Sequence, residues 1–210
     1  MKQLLFVLVL ISIWVIQLPN KLHAQDYGLK AGAVISTING QGNKSLKPGM
    51  QLGAYKNFGA TEKLFVQMEA LITQKGSWNW DSNNVKNINL YYFDFAVMFG
   101  ILAYEKFTIN IGIQPSVFLG GSYIYSIDGQ QQKESLSGRV SAMDYATVFG
   151  LEYDLNNNYT IGARFNYSFV PLQSYENDFA ENNELPYSMV FQLYGKLKFV
   201  ELMDLFKGDD

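Results

Sequence analysis

The chain has 210 residues, 48% of them hydrophobic, 15% aromatic and 17% charged, with 18 Gly, 5 Pro and no Cys. Soluble domains carry about 25% charged residues, so this composition is charge-poor, and its length suits one domain. Without cysteine there is no disulfide scaffold, thiolate metal site or thiol nucleophile. A formal charge of −3 without a basic block argues against nucleic acid as a partner.

Met1, Lys2 and Gln3 precede an apolar run from Leu4 to Ile16, and Leu22-His23-Ala24 follows. A cation, about a dozen apolar residues and a small exit residue make the layout of a secretory signal. The expected division is a signal peptide at 1–24, a main body at 25–199 and a tail at 200–210. An uncleaved anchor is the alternative, although the run falls short of the roughly 20 residues of a relaxed span. Cleavage after Ala24 removes Lys2 and Lys21, leaving 14 basic against 19 acidic residues, a net of −5. His23 is the one histidine, so the mature chain has neither His nor Cys. That excludes Ser–His and Cys–His catalysis and imidazole metal sites.

Beyond the signal the pattern is period-two alternation, predicting strands at 27–37, 49–57, 63–75, 88–101, 106–120, 141–155, 159–170 and 187–199. From Phe107 to Gly120, Ile109, Ile111, Ile113 and Val117 share one face and Thr108, Asn110, Gln114 and Ser116 the other. Successive strand side chains point to opposite faces. The clearest of these segments run 11–14 residues, against five or six for soluble strands and 9–11 for a tilted membrane-crossing strand. Aromatics sit near both ends of the apolar faces, as at the two water interfaces of a membrane barrel. Short links (58–62, 102–105, 156–158) alternate with long polar ones (38–48, 76–87, 121–140, 171–186). The expected fold is therefore all-β, an eight-stranded antiparallel up-and-down transmembrane barrel of the outer membrane. Its long loops lie outside, its short turns face the periplasm, and outer-membrane lipid is its first partner.

Eight strands leave an interior that side chains can fill. Following each alternation inward places Lys30, Arg164, Lys196 and Lys198 there, with Glu69, Asp94, Asp144 and Glu152. Four charges of each sign suggest a paired interior network, since unpaired buried charges cost several kcal/mol each, on the order of 3–5.

Several segments resemble a known family. Gln67-Met68-Glu69-Ala70-Leu71-Ile72-Thr73-Gln74-Lys75-Gly76 is similar to the third-strand signature of the Bacteroidetes outer-membrane β-barrel family that includes the PorT-like proteins. Leu90-Tyr91-Tyr92-Phe93-Asp94-Phe95-Ala96 resembles its fourth strand, with Ala96 where many members have Pro. Tyr27-Gly28-Leu29-Lys30-Ala31-Gly32 resembles the first strand. The stretch from Asp144 through Gly150-Leu151-Glu152-Tyr153 to Ile161-Gly162-Ala163-Arg164-Phe165-Asn166-Tyr167 resembles the sixth and seventh. The resemblance implies an eight-stranded outer-membrane barrel of a Gram-negative bacterium. It also implies two candidate roles, a secretion-system accessory and a porin-like channel. Members usually end at the aromatic close of the last strand, here Phe199, whereas this chain continues to Asp210. Phe199, Leu202, Met203 and Phe206 fall at helical spacing, so the tail reads as a short amphipathic turn on the inner leaflet or as a frayed end.

Candidate sites are few. Glu69, Asp94 and Asp144 with Arg164 could form a carboxylate site for acid–base chemistry, the basis of a lipid-modifying alternative; an ion-pair network holding strand register is the competing reading. Asp154, Asn156 and Asn158 mimic the start of a calcium loop but lack its Gly and Glu, leaving a polar turn. Neither a metal nor an organic cofactor is expected. Trp78 and Trp80, with Tyr123 and Tyr125, are candidate loop contacts for sugar or protein, or else girdle residues at headgroup level. The functional expectation is an envelope structural or interaction protein, an accessory of secretion-system proteins among its candidate roles; the alternative is a passive small-solute channel.

Overall fold

The computed structural model describes residues 27–39, 45–59, 61, 63–78, 85–127, 130–138, 140–172 and 187–199. The signal, its cleavage point at Ala24, the tail and Trp80 lie outside them. The strands are β1 (Tyr27–Asn39), β2 (Lys47–Gly59), β3 (Leu64–Trp78), β4 (Val85–Tyr104), β5 (Phe107–Ile127), β6 (Gln130–Ser135), β7 (Met143–Asp154), β8 (Tyr159–Ser168) and β9 (Tyr187–Lys198).

Eight of them close a ring in the order β1-β2-β3-β4-β5-β7-β8-β9, every neighbour antiparallel. The seam is β1 against β9, Gly28 facing Lys198 and Asn39 facing Tyr187, while β1 also pairs β2. Closure removes the free edges that an open sheet would expose. The eight-stranded antiparallel barrel expected from the alternation is the fold observed.

Alternation sets which side chains meet lipid. Along β7 buried and exposed residues alternate almost without a break. Ile109, Ile111, Ile113, Phe149, Leu151, Ile161, Phe165 and Leu193 point outward and are exposed. A continuous apolar band of this kind is a liability in water and a match for hydrocarbon. Tyr104, Phe107 and Tyr159 stand exposed near the short-turn end, and Trp78, Tyr145 and Phe169 near the long-loop end. Among the described residues no helix is long and apolar enough to cross a membrane.

The short turns are tied by side chains. Asn156 Oδ1 accepts from the backbone N–H of Asn158 (2.9 Å) and Tyr159 (2.8 Å), closing the β7–β8 turn as an Asx turn. Thr61 Oγ1 accepts from the N–H of Leu64 at 3.0 Å before β3.

At the long-loop end the sequence reading needs correction. Segments 76–87 and 121–140, expected as polar loops, carry β-structure. β3 runs on to Trp78, β4 begins at Val85, β5 continues to Ile127, and β6 returns along it outside the ring. For β5 the reason is a bulge. Tyr91 pairs with Gly120 and Tyr92 with Phe118, so Leu119 is inserted and the phase of β5 flips. Ser116 is buried on an even position, whereas Tyr123 is buried on an odd one. Broken alternation in the sequence looked like the end of a strand.

Candidate functional site in the barrel lumen

The inward faces form tiers. Nearest the short turns is an ionic network built on Glu69. Lys30 Nζ from β1 donates to both Glu69 oxygens at 3.1 and 3.0 Å. Arg164 from β8 meets the same carboxylate as a fork, Nη1 to Oε2 at 2.6 Å and Nη2 to Oε1 at 2.8 Å, the geometry that makes such pairs strong. Gln67 Nε2 donates to Glu69 Oε1 at 2.5 Å, and Lys196 Nζ donates to Gln67 Oε1 at 2.7 Å. Lys196 also lies 2.5 Å from Glu152, which accepts from the Tyr194 hydroxyl at 2.8 Å. The Tyr194 ring faces Lys30 Nζ at 3.7 Å and the Arg164 guanidinium at 5.2 Å.

The ring order gives this network its meaning. β3 and β8 stand four strands apart in either direction around eight, so they are opposite walls. The Glu69–Arg164 pair therefore spans the lumen, and both side chains are fully buried.

A second ionic group lies further toward the long loops. Lys75 Nζ on β3 is 3.3 Å from Asp94 Oδ1 and 3.8 Å from Asp144 Oδ2. Asp144 also accepts a hydrogen bond from the Ser168 hydroxyl. Beyond it, Lys47 donates to Asn87 Oδ1 (2.7 Å), to the carbonyl of Ile88 (2.6 Å) and to Asn89 Oδ1. An apolar cluster of Ile38, Ile88, Leu90, Tyr92, Tyr123 and Leu136 completes this end.

Of the eight interior charges read from the sequence, seven are buried. They divide between the two groups: Lys30, Glu69, Glu152, Arg164 and Lys196 in the first, Asp94 and Asp144 in the second. Arg164 is thus bonded to Glu69, while Asp94 and Asp144 pair with Lys75 instead. Lys198 lies at the rim, its side chain 15% exposed and its Nζ 3.7 Å from Asp154. Two buried cations escape that reading, Lys75 and Lys47. Lys75 was legible, since the Glu69-Leu71-Thr73 face leads straight to it, but it closes the expected strand 63–75. Lys47 falls just before the expected strand 49–57.

Trp78 is exposed at the end of β3. Tyr123 and Tyr125 are on β5 rather than a loop. Their rings stack at 5.4 Å and both hydroxyls donate to Glu134 on β6, at 2.5 and 2.7 Å. Tyr123 is buried in the apolar cluster, so it is a packing residue and not a loop-tip contact. No group of three or more metal-ligating residues occurs among the described residues.

A closed eight-stranded barrel with an apolar outer band and a polar lumen now meets its relatives. The family model for the outer membrane protein beta-barrel domain matches residues 18–174, well over half of the chain. The chain belongs to that family. Among solved structures, this outer-membrane barrel is similar to Ail, the attachment invasion locus protein of Yersinia pestis, crystallised with the heparin analogue sucrose octasulfate. That match has a TM-score of 0.52 and 16% identity, covering 83% of this chain and 99% of Ail. The neisserial surface protein A gives 0.51 and 10% identity, over 84% of this chain and 100% of that one. At such identities the likeness is one of fold. No curated protein matches the sequence.

Proposed function

We propose that this outer-membrane barrel is a structural and interaction protein of the envelope, without catalytic activity, whose lumen is closed by its own side chains. One observation carries the reading: the buried Glu69–Arg164 fork joins opposite walls, with Lys30, Gln67 and Lys196 gathered around it. A conducting lumen needs a continuous wet path, and here the middle of the path is occupied by mutually bonded groups. The apolar cluster at the long-loop end adds a second obstruction. In this reading the surface offered to partners is that end, where β5 and β6 project past the ring with an exposed, polar β6.

The PorT-like resemblance supports a narrower form, an accessory of a protein-secretion machine. The porin-like channel is the competing reading. Purified barrel in a planar bilayer separates them: the proposal expects no stepwise conductance, and open-channel steps in the wild type overturn it. Mass spectrometry of surface and secreted proteins in a deletion strain tests the narrower form. Broad loss of cargo supports it, and an unchanged secretome removes it.

A further inference from the structure

The two ionic groups carry opposite residual charges. The group around Glu69 holds three cations, Lys30, Arg164 and Lys196, against two carboxylates, Glu69 and Glu152. The group further up holds two carboxylates, Asp94 and Asp144, against one ammonium. Among the described residues no second cation lies within 4.0 Å of either aspartate, and Lys47 above them is taken up by neutral oxygens.

Oxygen atoms around Asp94 also lack hydrogen-bond donors, although its Oδ1 lies 3.3 Å from Lys75 Nζ. Asp94 is 0% exposed, yet neither carboxylate oxygen accepts a hydrogen bond. Thr73 is 0% exposed with its hydroxyl unpartnered, and both side-chain polar atoms of Gln51 are likewise buried and unpartnered. Register sets these groups on three successive strands. Gln51 faces Thr73 across β2–β3, and Asp94 faces Leu71, two residues from Thr73 on the same inward face. On the other side Asp94 pairs with Ser116, which pairs with Asp144. Burying polar groups without partners is unfavourable, and burying an unmatched carboxylate is more so.

We infer that the lumen beside Asp94 is a binding site for one monovalent metal cation, with Asp94 and Asp144 as the charged ligands and Thr73 and Gln51 as neutral oxygen ligands. Hard oxygen ligands suit an alkali or alkaline-earth ion. The residual charge of a single unit, and the absence of a third carboxylate among the described residues, select the monovalent class.

The test uses the folded barrel in detergent, melted at one ionic strength in sodium, potassium, rubidium, magnesium or choline chloride. Sodium or potassium should raise the melting temperature by about 2–4 °C over choline, the shift expected when the ion stands at roughly five times its dissociation constant. Asp94→Asn should abolish the difference and Thr73→Val should reduce it. Should Asp94→Asn fail to fold, the Thr73→Val series and a rubidium anomalous peak beside Asp94 in wild-type crystals decide. Identical melting in all salts, a cation effect that survives Asp94→Asn, or a larger effect from magnesium overturns the site. A melting temperature that follows pH but not cation identity overturns it in favour of a shared proton.

Discussion

Glu69 collects two contacts from Lys30, two from Arg164 and one from Gln67. Removing it leaves two buried cations facing each other in a low-dielectric lumen, whereas deleting both members of a pair is far milder. Glu69→Ala should therefore cost about 3–5 kcal/mol, read from denaturant or heat-dependent gel mobility. Glu105→Ala, on the exposed turn between β4 and β5, should stay within about 0.5 kcal/mol. Equal losses at the two positions would deny the network any structural weight. That Glu69 and Arg164 both face inward was readable from alternation. Which charge meets which was not, because partners 95 residues apart are set by ring closure and strand stagger, neither of which is a local property.

Strands were the most legible elements, since a half-buried strand in lipid writes its period on consecutive residues. All eight expected ring strands occur, with ends within a few residues except where β4 and β5 extend beyond the membrane band. The exception has a physical cause: outside lipid the outward face need not be apolar, so the Tyr123–Glu134 ribbon lacks the two-residue period of a membrane strand, and the Leu119 bulge erases the phase. Close contacts between elements were equally hidden. Gly162 on β8 lies under the Tyr194 ring of β9, where a Cβ would come within 2.5 Å of Cζ. The ring cannot swing aside freely, because its hydroxyl is held by Glu152. Gly162→Ala should destabilise by about 1–3 kcal/mol, and Tyr194→Leu in the same chain should recover part of the loss. If Gly162→Ala is neutral, the two strands do not pack as described.

For the whole molecule the question is which end faces the cell exterior. The cysteine-free chain is suited to site-directed labelling. Lys133→Cys on exposed β6 should react with a membrane-impermeant maleimide on intact cells, and Asn157→Cys in the β7–β8 turn only after the outer membrane is opened. The reverse pattern would invert the barrel and place its partner surface in the periplasm. The lumen-crossing pair also bears on the order of assembly. Lys30 and Glu69 lie on β1 and β3, so they can find one another while the sheet is still an open ribbon. Arg164 arrives with β8, and its carboxylate comes within reach only as the β1–β9 seam draws shut. Until then the Arg164 guanidinium lacks its fork partner, which makes half-built ribbons unfavourable resting places and ties the last zipping step to the earliest strands.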